Sequence, residues 1–141
     1  MVSGRFVVRA LFGALLAGLI LAVPGVVYAQ GKMKFETFED TKKEHRWRLK
    51  AANGMVVAVA SEGYKAKADR DKAIALIKDG ADKLTFEVFE DSAKEYRWRL
   101  KAGNGEILAT AGEGYKNKTD AEKGKDLLKG AKDAEVVEGK Q

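Results

Sequence analysis

Most of this chain is written twice, and that repetition limits its fold more than any other feature. Residues 35–82 match residues 86–133 without a gap at an offset of 51, with 27 identities in the 48 positions. Arg46-Trp47-Arg48-Leu49-Lys50-Ala51 returns as Arg97-Trp98-Arg99-Leu100-Lys101-Ala102, and Glu62-Gly63-Tyr64-Lys65 returns as Glu113-Gly114-Tyr115-Lys116. A solenoid or propeller of this period needs at least about three units to bury a continuous core. Two units point instead to a closed, pseudo-twofold pair. The join around Gly80 to Lys83 is too short to be a flexible linker, so repeats of 30–83 and 84–141 are expected to pack as one domain.

Each repeat predicts the same elements. Phe35 to Asp40, or Phe86 to Asp91, is short and aromatic-rich and reads as a strand, ended by a polar turn at Thr41 to Lys43 or Ser92 to Lys94. Glu44 to Ala51 alternates, with Trp47, Leu49 and Ala51 on one face and Arg46, Arg48 and Lys50 on the other, as in a half-buried strand. Asn53-Gly54 and Asn104-Gly105 predict a two-residue type I′ hairpin turn, which needs positive φ at both central positions. A third strand follows at Met55 to Ala60, or Glu106 to Ala111.

The spacing of Ala73, Leu76, Ile77 and Gly80 then predicts an amphipathic helix, matched by Gly124, Leu127, Leu128 and Ala131. Thr119 and Glu122 have capping-box spacing in the second copy; Asp69 is the expected N-cap in the first. Val136-Val137 reads as a short closing strand.

Residues 1–29 are different in kind. They carry Arg5 and Arg9 but no acidic residue, then an apolar run from Ala10 to Val23, then Pro24 and the ending Val27-Tyr28-Ala29. That order predicts a signal peptide cleaved before Gln30 and a protein exported to the periplasm, the envelope or the exterior. The apolar run is shorter than the ~20 residues of a membrane-spanning helix. The alternative is an uncleaved anchor over Phe6 to Val27, with Arg9 snorkelling to the interface. With no cysteine in the chain, a lipoprotein anchor and disulfides are excluded. Beyond residue 29 stand 24 basic and 21 acidic side chains, interspersed, without the single-sign block of a nucleic-acid or heparin tail.

The opening Phe-Glu-x-Phe, the Arg-Trp-Arg-Leu-Lys-Ala-x-Asn-Gly segment, Glu-Gly-Tyr-Lys-x-Lys and the helix after it resemble the YegP-like family, small bacterial proteins with a tandem domain of unknown function. The resemblance covers both repeats, roughly residues 34 to 137. It implies an α+β fold: a β-β-β-α-β unit used twice, one antiparallel sheet, helices on one face and exchange of the final strand between units. It implies no activity and no catalytic residues. The export signal is a departure from the many members that look cytoplasmic.

Alternation places both arginines of each Arg-Trp-Arg on the face opposite tryptophan. If helices cover the tryptophan face, Arg46, Arg48, Lys50, Arg97, Arg99 and Lys101 line the open one. Such a face can bind polyanions, or its cations can be solvated cross-strand partners of Glu36, Glu39, Glu87 and Glu90. Tyr64 and Tyr115, each after a glycine at the strand-to-helix connection, can stack on a ligand, or pack over the core with the hydroxyl bonded to backbone. Trp47 and Trp98 share a face with leucine and alanine and are expected in the core.

His45 is the only histidine and has Tyr96 as its counterpart, so no metal site, cofactor or catalytic group is expected. Gly112-Glu113-Gly114 lacks the spacing and context of a phosphate loop. These readings converge on an exported, non-enzymatic binding or structural module, monomeric with internal pseudo-twofold symmetry. Its expected partner is a protein or an anionic envelope polymer, met through the open sheet face or an edge strand. The alternative is a nucleic-acid binder using the same basic face, which export and the weak net charge disfavour.

Overall fold

The computed structural model describes residues 31–139; the signal-peptide reading lies outside them. The first repeat forms strands β1 (Lys34–Glu39), β2 (His45–Lys50) and β3 (Val56–Ala60), then helix α1 (Lys67–Gly80) and a 3-10 turn (Ala81–Lys83). The second forms β4 (Thr85–Glu90), β5 (Tyr96–Lys101), β6 (Ile107–Ala111), helix α2 (Lys118–Leu128), a 3-10 turn (Lys129–Asp133) and β7 (Glu135–Glu138). The strands make one sheet in the order β4-β5-β6-β3-β2-β1-β7. The repeats therefore meet at the centre, where β3 and β6 run antiparallel with Ala58 opposite Ala111 and Ala60 opposite Ala109.

The last strand departs from the expected all-antiparallel sheet. β7 ends the second repeat but joins the first, lying parallel to β1 from Lys34 opposite Glu135 to Thr37 opposite Glu138. This is the exchange of a closing strand, made once. The residues of the first repeat that correspond to Glu135–Glu138, at 84–87, belong mostly to β4 itself.

Both helices pack on one face, with Trp47 and Trp98 as the largest fully buried side chains. The alanines where the repeats meet supply little volume, so the two indoles fill much of the core. Phe35 meets Trp47 edge-on and Phe86 lies stacked on Trp98, each pair with ring centroids 5.4 Å apart.

Three local expectations are corrected. In the Asn53-Gly54 and Asn104-Gly105 turns only the glycines have positive φ, 89° and 88°. Gly54 N donates to Ala51 O and Ala51 N to Met55 O, both at 2.9 Å, while the Asn53 Oδ1 accepts from Met55 N at 3.0 Å. This is a turn followed by a left-handed glycine, the three-residue hairpin loop rather than type I′. It lets Asn53 keep an ordinary backbone while its side chain caps the next strand.

The buried stripe of α1 is Arg70, Ala73, Ile74 and Ile77, the expected spacing in a different phase, with Leu76 40% exposed. Arg70 holds a core position because its stem is apolar and its guanidinium folds back to donate twice to Asp71 Oδ1, at 2.9 and 2.7 Å. The expected caps are also displaced. The helices begin after Ala66 and Asn117, neither capping through its side chain, and Thr119 and Asp69 lie inside the first turn. Carbonyl oxygens of Ala66 and Asn117 accept from the amides of Asp69 and Asp120 instead, starting each helix early.

Candidate binding face

The hairpin registers bring one row of side chains across the sheet. Glu36 stands opposite Arg48, Arg48 opposite Val59, Val59 opposite Thr110, Thr110 opposite Arg99, and Arg99 opposite Glu87. Directly opposed residues share a face, and this row lies on the face away from the tryptophans. It reads carboxylate, guanidinium, methyls, hydroxyl, guanidinium, carboxylate, nearly a palindrome about the β3–β6 seam.

Each of the six predicted cations meets a carboxylate. Arg48 Nε donates to Glu36 Oε1 at 2.7 Å, and Lys50 Nζ lies 3.2 Å from the other oxygen of Glu36. In the second repeat Arg99 Nε donates to Glu87 Oε1 at 2.6 Å and Lys101 Nζ to Oε2 at 3.0 Å. Arg46 and Arg97 are met by the turn aspartates Asp40 and Asp91, at 2.7 and 2.8 Å. The arginines remain about one-third exposed. Arg48 and Arg99 also lie over the rings of Phe38 and Phe89, each 4.9 Å from the centroid.

The turns that hold Asp40 and Asp91 follow from sequence. Asp40 Oδ1 accepts from the amides of Lys42 and Glu44 at 2.8 and 3.0 Å, and Asp91 Oδ1 does the same for Ala93 and Glu95. Each carboxylate thus closes its own turn with one oxygen and holds an arginine with the other. Lys43 and Lys94 complete these turns at φ 65°.

These contacts set the charge state. The hydrogen bond from Arg48 holds the Glu36 carboxyl below its ordinary pKa, and the bond from Arg46 does so for Asp40. Glu87 is lowered first by Lys101 and then by Arg99; Asp91 is lowered first by the Glu95 amide and then by Arg97. The chemistry of this face is therefore fixed ion pairing between charged groups.

The six predicted cations come together on the open face. Tyr64 and Tyr115 do not join them: their rings belong to the hydrophobic core, and each residue forms a backbone bridge, to His45 and Tyr96 respectively. The Tyr64 hydroxyl is buried without the backbone partner expected for it, and burial raises its pKa. Glu39 is corrected as well, since its ion pair is with exposed Lys43 at 3.6 Å while Asp40 takes the arginine. Sequence reasoning passed over Phe38 and Phe89, although each is two residues from Glu36 or Glu87 and so on the same strand face. No group of three or more His, Cys, Asp or Glu side chains able to hold a metal occurs among the described residues.

Comparison with known proteins agrees with the repeat. A model described as a domain of unknown function, DUF1508, matches residues 40–87 and again residues 91–138. A UPF0339 protein from the ptx operon 5′ region of Stutzerimonas stutzeri is 37% identical over 106 residues, 74% of this chain and 94% of that protein. A UPF0339 protein of Neisseria meningitidis serogroup B is 52% identical over 46 residues, 33% of this chain and 80% of that protein. Among solved structures, the protein of unknown function yegP from E. coli superposes with a TM-score of 0.68 at 24% identity, covering 82% of this chain and 97% of that one. The UPF0339 protein SO3888 of Shewanella oneidensis gives 0.67 at 18%, covering 77% and 92%. The chain belongs to the DUF1508 family, as two tandem repeats of its domain.

Proposed function

We propose that this protein is a non-enzymatic binding module, exported from the cytoplasm, that meets a protein partner through its open sheet face. The observation that carries the proposal is the matched pair of Arg–Phe–carboxylate arrays, Arg48 with Phe38 and Glu36, and Arg99 with Phe89 and Glu87. Arginine and aromatic side chains dominate binding energy at protein interfaces. Here they are pre-ordered by ion pairs and partly exposed, which lowers the entropy lost on contact. Carboxylates held ionised by arginine suit charge complementarity rather than proton transfer. Export is supported by the basic, apolar and small-residue order of residues 1–29.

A second reading, an anionic envelope polymer, is favoured by Glu36 and Glu87 each serving two cations, which leaves positive charge in excess. Affinity capture from the envelope fraction tests both, comparing the chain without residues 1–29 with a variant changing Arg46, Arg48, Arg97 and Arg99 to glutamine. Specific loss of a protein from the variant's profile is expected. Capture of polymer that falls steeply with added salt favours the second reading, and an unchanged profile overturns both.

A further inference from the structure

The two ends of the sheet are related by the repeat but unequally covered. At β1 the outer edge carries β7, with Gly139 N donating to Thr37 O at 2.6 Å and Thr37 Oγ1 to Val137 O at 3.3 Å. Under that strand Phe35 is fully buried and Thr37 is 5% exposed. β4 is the counterpart of β1 and lies at the far end of the sheet, with β5 on one side only among the described residues. Its Phe86 and Val88, standing where Phe35 and Thr37 stand in the first repeat, are each partly exposed. The described residues thus have two such edges and one closing strand to cover them.

The edge of β4 also lacks three of the features that deter strand addition. Its sequence, TFEVFE, has neither proline nor lysine, and its pairing with β5 is unbroken by a bulge. Because the Thr37 carbonyl faces β7, its counterpart Val88 turns its backbone N–H and C=O outward, and alternation does the same for Phe86 and Glu90. We propose that this edge accepts an extended segment of a partner protein, parallel to β4 as β7 is to β1, with apolar residues opposite Phe86 and Val88.

The apolar requirement follows from Val88, which offers a methyl surface where Thr37 offers a hydroxyl. The partner is a different chain, since antiparallel pairing of two β4 strands about Val88 would set Glu90 of each copy against Phe86 of the other, a carboxylate where the site needs an apolar group. This site stands on different residues from the open-face proposal and fails or holds independently of it.

The test uses a synthetic peptide, Lys132–Gly139 of this chain with Glu138→Val, added to the isotope-labelled protein. Hydrogen exchange at the Phe86, Val88 and Glu90 amides is expected to slow about tenfold, with the amides of β1 unchanged. Val88→Pro and Glu90→Pro each remove an outward donor and keep the ladder to β5, so each abolishes the effect in a protein whose unfolding stays cooperative. The quadruple Arg→Gln variant retains it. No slowing at millimolar peptide overturns the proposal. So does protection that rises with protein concentration alone, which would make a second copy the occupant.

Discussion

Gly124 lies so close against the indole of Trp98 that a Cβ at position 124 would run into the ring nitrogen. The same position in the first repeat is Ala73, buried in α1. The two repeats thus differ here, since the second has no room for the methyl that Ala73 carries in the first. The aromatic pairs differ with them, edge-on at Phe35 and Trp47 and stacked at Phe86 and Trp98.

Gly124→Ala is therefore expected to destabilise. In an open helix interior this change stabilises by ~0.5–1 kcal/mol, but here overpacking against Trp98 costs ~1–3 kcal/mol. Ala73→Gly loses ~1 kcal/mol through helix propensity alone. Urea unfolding is expected to show a loss of stability in both variants, and a Gly124→Ala protein more stable than the parent contradicts the packing described.

Lys43 and Lys94 occupy left-handed backbone at φ 65°, a conformation costly for a residue with a side chain. Replacing either by glycine is expected to raise stability by ~0.5–1 kcal/mol. The ion pair of Lys43 with Glu39 is exposed and contributes little. A shift of the urea midpoint upward checks this.

Thr37 and Val88 mark the break in symmetry, because only Thr37 faces a closing strand and bonds its carbonyl. Thr37→Val, which copies the second repeat into the first, is expected to cost ~0.5–1.5 kcal/mol. The loss should concentrate in β7. Faster hydrogen exchange at Val136 to Gly139, with β5 and β6 unchanged, is the predicted signature.

Glu36, Asp40, Glu87 and Asp91 all have pKa values lowered in the fold. A carboxylate of this kind stabilises fully above its unfolded value, and that contribution disappears as pH falls through its folded value. Stability is therefore expected to fall below about pH 4. The variant with Arg46, Arg48, Arg97 and Arg99 changed to glutamine should show a shallower fall. Urea midpoints measured between neutral and strongly acidic pH decide it, an equal acid slope in both proteins being the contrary result.

The repeat made the architecture readable, since period-two alternation around Trp47 and Trp98 fixed which face is buried. The cations Arg48 and Arg99 followed from the same alternation. What alternation lacks is a view across space. It did not show that Asp40, one residue beyond its strand, takes Arg46 where Glu39 was expected, because that choice depends on how the turn bends. The docking of Val136 and Val137 on the first repeat was implied by resemblance, but its parallel direction was not, and periodicity contains no information about where a strand goes. Leu76 was misplaced because Arg70 takes a core position through its methylene stem. Hydrophobic spacing counts such a residue as polar.

The claim that the open face is the working surface is tested most directly by photo-crosslinking in the native host. A crosslinking residue at Val59 or Thr110, partly exposed at the centre of the face, is compared with one at Lys72 or Lys125, exposed on the helices. A discrete protein adduct formed from the sheet positions alone is predicted. Adducts arising from the helix positions alone would contradict it.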